Sequence, residues 1–237
     1  MTVAVIFAGG AGVRMGASVP KQFLEIAGKP VLAHTLQLFQ SHAEIDGIVL
    51  VVQREYFKRT QDLCLEYGIS KVLRTVNGGV SAQDSIYNGL RACRDMSLPD
   101  DTVVLIHDGV RPYITPEVIS ANISSVKKHG NGITFTPCYE TLIISRDGQS
   151  ICDIPPRRES YSAQAPQSFR LGDIFNAHEK VRAMPGGYTD LVDQATLLWK
   201  LGIPIHLVPG NRGNIKITTP EDIAMLDALL RNKEEHQ

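Results

Sequence analysis

The residues best suited to chemistry form a glycine-rich segment near the start of the chain, Ala8-Gly9-Gly10-Ala11-Gly12, followed by Arg14 and Lys21. A β-branched apolar run, Val3 to Phe7, precedes it and predicts a short buried strand. Glycines after such a strand let backbone N–H groups approach a ligand closely, and successive N–H donors bind anions. Arg14 and Lys21 add positive charge suited to phosphate oxygens. The segment therefore predicts a loop that binds a nucleoside triphosphate.

Two better-known phosphate-binding loops do not fit these residues. A P-loop needs Gly-Lys followed by Ser or Thr, whereas Lys21 stands between Pro20 and Gln22. A dinucleotide-binding fingerprint needs a third glycine in register and an acid at the end of the second strand. The run after Gly10 lacks that glycine, and the second predicted strand ends at Arg54 without an acid. The sequence therefore disfavours a dehydrogenase.

Two charged residues follow the clearest buried strand, predicted over Thr102 to His107. Asp108 ends this strand, and ligands of open α/β sheets gather at the carboxyl ends of strands. An acid there can accept a hydrogen bond from a ribose hydroxyl or help to hold Mg²⁺, the cofactor we expect. Arg111, stiffened by the proline after it, could be a surface ion-pair partner, but its position favours phosphate binding.

The rest of the chain predicts the elements that position these residues. Apolar runs predict strands at 3–7, 48–52, 72–73, 102–107, 132–136, 203–208 and 215–217. Helical spacing predicts helices at 30–40, 56–67, 81–93, 116–129, 171–181 and 190–201, and a last helix from Pro220. Because strands and helices alternate, we expect an α/β fold with a doubly wound, mostly parallel sheet, in a single domain of residues 1–237.

A second glycine turn, Gly78-Gly79, precedes the third predicted helix. Helix N-termini suit polar ligands because their N–H groups are unpaired. Ser85 lies about one turn into that helix. It is either an ordinary solvated serine or a residue that hydrogen-bonds a base or ribose.

One segment interrupts the alternation of strands and helices. Two apolar runs, Thr141 to Ser145 and Ser150 to Ile154, flank Asp147-Gly148 and predict a β-hairpin. A hairpin with few core-facing positions is not stable alone. We therefore expect residues 137–166 to form a protruding arm that lies on a partner subunit.

Composition limits the classes of partner and compartment. The formal net charge of −1 gives no basic excess, so we expect no nucleic-acid partner. No apolar run approaches the ~20 residues that cross a bilayer, so we expect no membrane partner and no export. The four cysteines include no Cys-x-x-Cys pair and suggest reduced thiols in a cytoplasmic protein.

Several spaced motifs together resemble one enzyme family. They are the loop at 8–21, Gly78-Gly79 with Asp84-Ser85, His107 to Pro112, Ala165 to Gln167, Thr189-Asp190 and Asn214 to Asp222. In this order they resemble the cytidylyltransferases acting on 2-C-methyl-D-erythritol 4-phosphate or D-ribitol 5-phosphate, which have a nucleotide-diphospho-sugar transferase-like fold. The resemblance implies a homodimeric enzyme that converts CTP and a polyol phosphate into a CDP-polyol and pyrophosphate.

The resemblance also implies roles for individual residues. It implies that Arg14, Lys21 and Lys216 are catalytic residues. It implies a CTP-binding set made of Ala8, Gly9, Gly10, Ala11, Gly12, Gly78, Gly79, Ser85 and Asp108. It implies that the polyol phosphate is bound by Asp108, Arg111, Thr141 and Arg157. Thr141 and Arg157 would come from the arm of a partner subunit. A phosphate nucleophile is largely dianionic at neutral pH, so no dedicated base is expected.

The chain departs from the family pattern near both expected ligands. Ala82 stands where the family usually has an arginine, Ala165 replaces a usual threonine, and the lysine that usually follows Thr141 in the methylerythritol enzymes is absent. The run from Ile154 to Phe169 looks closer to the ribitol branch, so we favour D-ribitol 5-phosphate over 2-C-methyl-D-erythritol 4-phosphate. Ala82 and Ala165 leave open a nucleotide-binding regulator without catalysis. A uridylyl- or guanylyltransferase acting on a hexose phosphate is disfavoured by the chain length.

Overall fold

The computed structural model of the protein describes residues 1–8 and 19–235. Five predicted site residues therefore lie outside the described residues: Gly9, Gly10, Ala11, Gly12 and Arg14. Their predicted roles stay predictions.

A seven-stranded sheet forms the centre of the described chain, in the order β5-β4-β1-β6-β8-β7-β9. Its strands are β1 Thr2–Phe7, β4 Gly47–Val52, β5 Val72–Asn77, β6 Val103–Asp108, β7 Asn131–Pro137, β8 Tyr161–Arg170 and β9 Leu207–Pro209. Two short strands, β2 Glu25–Ile26 and β3 Lys29–Pro30, pair separately. All pairs within the large sheet are parallel except those that β8 makes with β6 and β7. The predicted α/β class with a mostly parallel sheet is confirmed.

Helices cover both faces of the sheet. They are α1 Val31–Ser41, α2 Phe57–Glu66, α3 Ala82–Asp95, α4 Pro116–His129, α5 Leu171–Ala183, α6 Gln194–Lys200 and α7 Pro220–Glu235. Alternate residues of β1 divide between the faces: Ala4 and Ile6 pack with α1 and α4, and Val3 and Val5 pack with α3 and α5. This two-sided burial explains the continuous apolar runs of the parallel strands. Among the described helices, none is long and apolar enough to span a bilayer.

The central strand β8 was not predicted from the sequence. Its residues include Pro166, which cannot donate a ladder hydrogen bond and argues against a central strand. The register between β7 and β8 shifts between Ile133 and Phe135, so residues around Pro166 form a bulge where that missing donor is tolerated. Below the bulge, residues 167–169 pair with both neighbouring strands.

The arm is shorter and less regular than predicted. Residues 161–166 belong to β8, so the segment outside the sheet is 138–160 and not 137–166. The chain does reverse at the predicted turn, where Asp147 accepts hydrogen bonds from Ser150 and the N–H of Gln149. Only one antiparallel bridge forms, between Ile144 and Asp153, because both runs lie in solvent with no surface to pack on.

Two further elements near the C-terminus differ from their predictions. Residues 215–217 form no strand, although the Ile217 N–H donates to Val110 O at 3.0 Å. The strand predicted at 203–208 is confined to β9, and the helix predicted at 190–201 begins only after Asp193, whose side chain caps it. The last helix begins at Pro220 as predicted, and Leu226 and Leu230 dock it onto Ile217.

Candidate active site

A first cavity of about 400 Å³ opens at the carboxyl ends of β1, β4 and β6. Its lining includes six residues that the sequence placed in the site: Ala8, Lys21, Gly79, Ser85, Asp108 and Lys216. They come from distant parts of the chain, and the parallel strands bring them to one edge of the sheet. Lys21 and Lys216, two of the three predicted catalytic residues, thus line the same cavity, whereas the third, Arg14, lies outside the described residues.

A second cavity of about 240 Å³ adjoins the first and is bounded by β8. Arg111, Ala165 and Gln167 contribute to its wall. The two cavities share four lining residues: Phe7, Ala82, Asp108 and Lys216. Asp108 and Lys216 thus stand where a ligand in one cavity would meet a ligand in the other.

Asp108 is held between two cations at this junction. This residue is only 7% exposed, with Lys216 Nζ at 2.5 Å from Oδ1 and Arg111 Nε at 3.0 Å from Oδ2. Burial alone would raise the pKa of Asp108, but Lys216 and Arg111 hold it below its ordinary value. The carboxylate therefore stays charged at neutral pH and fixes both cations at the cavity mouth.

The irregular segment 214–217 positions the positive charges. Asn214 O accepts a hydrogen bond from Arg111 Nη1 at 2.8 Å, and Ile217 O accepts one from Lys21 Nζ at 2.9 Å. Ile217 is fully buried against α7, so Lys216 projects from a fixed point. These backbone carbonyls accept hydrogen bonds from positively charged side chains because they are not paired with a neighbouring strand.

The Gly78-Gly79 turn is held by the helix that follows it. Ser81 caps α3 in a reciprocal box with Asp84, and the Gly79 N–H donates to Ser85 Oγ at 3.0 Å. Ser85 also donates to Ser81 O, so its hydroxyl shapes the turn. A Cβ at Gly79 would lie 2.2 Å from Asp84 Cβ, so only glycine fits.

Several polar residues of the site carried no predicted role. Gln22 is buried and donates from Nε2 to Ala8 O at 2.9 Å, which fixes the end of β1. Gln164, Gln167 and Asp193 line the second cavity. No pattern in the sequence predicts that these side chains converge, because their convergence depends on the unpredicted pairing of β8.

A buried hydrogen-bond network supports the wall of the second cavity. Tyr188 OH lies 2.5 Å from His178 Nδ1, and His178 Nε2 lies 2.8 Å from Gln194 Oε1. The Gln194 amide in turn donates to Gln83 Oε1, and the Gln194 N–H donates to Gln167 Oε1. Since the Gln194 oxygen must accept, Nε2 of His178 carries a proton.

Two buried histidines predict an acid-sensitive fold. Burial lowers the pKa values of both His107 and His178 from 6.5 to about 4. Below about pH 6.5 the unfolded chain binds protons that the folded chain does not, so folding loses free energy as the pH falls. We expect the free energy of unfolding at about pH 5 to lie below that at about pH 7.5 by on the order of 2 kcal/mol per histidine. Denaturant titrations at both pH values measure it.

The comparison variant for this pH effect is His178→Gln. It removes one of the two titrations, so its loss of stability between the two pH values should be about half that of the parent protein. An unchanged pH dependence in this variant would contradict the assignment, whatever its absolute stability.

The remaining predicted residues lie apart from the cavities. Thr141 and Arg157 are exposed on the arm, and neither lines either cavity. Within the described part of the chain, Arg157 Nη1 donates to Tyr139 O of the same arm, at 3.4 Å. Gly78 stands beside the lining residue Gly79.

The family comparison matches almost the whole chain. Residues 2–232 match the family model described as "IspD: 2-C-methyl-D-erythritol 4-phosphate cytidylyltransferase". The chain belongs to this family. The resemblance inferred from the spaced motifs is therefore confirmed, and so is its class, the cytidylyltransferases, which are nucleotidyltransferases.

Individual relatives of this family member carry two kinds of name. A ribitol-5-phosphate cytidylyltransferase of Streptococcus agalactiae serotype III is 42% identical over 238 residues, covering 100% of this chain and 98% of the relative. A 2-C-methyl-D-erythritol 4-phosphate cytidylyltransferase of Clostridium botulinum is 37% identical, covering 95% and 96%. The solved 4-diphosphocytidyl-2C-methyl-D-erythritol synthase of Anaerococcus prevotii superposes with a TM-score of 0.83 at 31% identity, covering 97% and 96%.

Proposed function

We propose that this cytidylyltransferase transfers CMP from CTP to D-ribitol 5-phosphate. A phosphate oxygen of the polyol attacks the α-phosphorus of CTP in line, and the bond from that phosphorus to the oxygen bridging the β-phosphate breaks. Pyrophosphate leaves, and the product is CDP-ribitol. The observation that carries the proposal is the pair of adjoining cavities that share Asp108 and Lys216.

The first cavity suits the nucleotide. Its wall includes the fixed Gly79 turn before α3 and the Lys21 side chain, whose positive charge stabilises phosphate oxygens. The second cavity suits the acceptor, since Arg111 supplies a guanidinium beside uncharged amide side chains. Lys216 stands between them and stabilises the charge that develops during transfer.

The proposal includes Mg²⁺ as cofactor. Among the described residues, no cluster of three or more His, Cys, Asp or Glu side chains could hold a metal by itself. Mg²⁺ at nucleotide sites needs only one or two carboxylates together with phosphates and water, and Asp108 offers such a carboxylate. When bound, Mg²⁺ would neutralise triphosphate charge, and Asp108 is the residue that would hold it.

Similarity favours ribitol among the possible polyols. Four relatives named ribitol-5-phosphate cytidylyltransferase are 41–42% identical to this chain, and three named for methylerythritol phosphate are 35–38% identical. The family model and the solved neighbours carry the methylerythritol name, which keeps that polyol as the alternative substrate.

We propose further that the enzyme works as a homodimer joined through the arm. The arm exposes apolar side chains, among them Leu142, Ile143, Ile151 and Ile154. Their exposure suits burial against a second copy, because solvent contact of such a cluster is unfavourable. Thr141 and Arg157 would then enter the partner's second cavity.

The test is pyrophosphate release with a panel of substrates. We expect turnover with CTP and Mg²⁺ on D-ribitol 5-phosphate, weaker turnover on 2-C-methyl-D-erythritol 4-phosphate, and little on glycerol 3-phosphate or with UTP, GTP or ATP. Release that favours methylerythritol phosphate would reverse the choice of polyol. Nucleotide binding without turnover on any acceptor would establish the non-catalytic alternative that Ala82 and Ala165 leave open.

A further inference from the structure

The bulge in β8 changes which side chains face the second cavity. Ala163, Gln164 and Ala165 all line it, although strand residues normally alternate between faces. The carbonyls at the bulge are both bonded: Asn214 Nδ2 donates to Ala165 O, and Thr134 Oγ1 donates to Pro166 O, each at 2.6 Å. The bulge is therefore a fixed feature, and such bulges re-aim side chains beside active sites.

Most other uncharged polar groups of the cavity wall are already engaged within the protein. Gln167 Oε1 accepts from two backbone N–H groups, and its Nε2 donates to Asp193 Oδ2 at 2.8 Å. Asp193 also caps α6 through Thr196. Gln194 belongs to the buried network around His178. These residues form a fixed wall.

Gln164 is held differently. Its hydrogen bonds are long, at 3.3 Å from Asn214 Nδ2 and 3.4 Å to Asn211 O, so they are weak. If its amide turns away, Asn214 keeps its 2.6 Å bond to Ala165 O. The absence of a side chain at Gly210 leaves room for the Gln164 amide, because a Cβ at that position would lie 2.6 Å from Gln164 Oε1. The amide can therefore reorient towards a ligand at low cost.

We propose that Gln164 determines polyol specificity by hydrogen-bonding the hydroxyl groups of the acceptor. The inference rests on the proposed function and deepens it. An amide offers a donor and an acceptor side by side, which complements adjacent hydroxyls of an unbranched polyol. A methyl branch can use neither group, so at that position the amide, which is 8% exposed, keeps its weak bonds to Asn214 and Asn211 and the acceptor gains no hydrogen bond. The small side chains of Ala163 and Ala165 leave room for the carbon chain of the polyol beside the Gln164 amide.

The test compares Gln164→Met with the parent enzyme on both polyol phosphates. Methionine keeps the unbranched shape and removes the hydrogen bonds. We expect the KM for D-ribitol 5-phosphate to rise about tenfold, with the KM for CTP changed less than about twofold. The ratio of kcat/KM for ribitol over methylerythritol phosphate should fall about tenfold.

Two further variants separate specificity from folding. Gln164→Ala should also lower the ratio of kcat/KM for ribitol over methylerythritol phosphate. Gln61→Leu, on the exposed side of α2, should leave the KM values for D-ribitol 5-phosphate and CTP unchanged. Equal losses on both acceptors would overturn the specificity role, as would an unchanged ratio with an active parent enzyme. A parent enzyme inactive on both acceptors would instead overturn the proposed function itself, and this inference with it.

Discussion

Lys216→Ala is expected to lower kcat for CMP transfer by about a hundredfold or more while the protein stays folded. Its Nζ lies 2.5 Å from Asp108 Oδ1, at the junction of the two cavities. Removing one preorganised charge from a site of developing negative charge costs on the order of 3 kcal/mol in the transition state. Initial rates of pyrophosphate release at saturating CTP and D-ribitol 5-phosphate measure the effect.

Lys58→Ala is the matched control for this loss. Lys58 is an exposed lysine on α2 that also pairs with an aspartate, Asp62, so the change removes the same kind of interaction away from the cavities. We expect its rates to equal those of the parent enzyme. Thermal unfolding of Lys216→Ala checks the fold, since Asp108 retains Arg111 as a partner. A folded Lys216→Ala enzyme with near-normal kcat would exclude Lys216 from the reaction.

Arg157→Ala is expected to be nearly inactive alone and to recover activity when paired with an inactive Lys216→Ala subunit. In the mixed dimer, one active site combines an intact Lys216 with an intact Arg157 from the other subunit. Random subunit exchange should restore about a quarter of the parent activity, because half of the dimers are mixed and each has one complete site. Co-expression with two different tags isolates the mixed dimer directly.

The control for this complementation pairs two residues of the same cavity. Arg111 and Lys216 both line the second cavity within one subunit, so mixing Arg111→Ala with Lys216→Ala completes neither site. That mixture should stay inactive. Full activity of Arg157→Ala, or no recovery in isolated mixed dimers, would refute a contribution from the partner's arm.

Local signals in the sequence were sufficient for most of the fold. The runs at β1, β4 and β6 are continuously apolar because helices cover both sides of the sheet. Residue type alone therefore predicts that these strands are buried. The start of α7 follows from Pro220, which suits a first helical position. Asp108 was placed at the site because the end of its strand predicts where ligands bind.

Pairing between distant segments could not be predicted in the same way. β8 contains alanine, glutamine and proline without alternation, and it becomes a central strand only because β6 and β7 accept it on either side. The hairpin expected in the arm had the right turn at Asp147 but formed one bridge, since a strand ladder needs a surface to cover.

The sequence by itself determined the family, the α/β class and most of the strands and helices other than β8, because these depend on residue type and spacing along the chain. The tertiary structure decided that Lys216 meets Asp108 between two cavities and that Gln164 joins the wall of one. Such contacts depend on how an irregular segment packs on α7 and on a bulge in β8. Neither leaves a periodic signal in the chain, because each is stabilised by partners from distant segments.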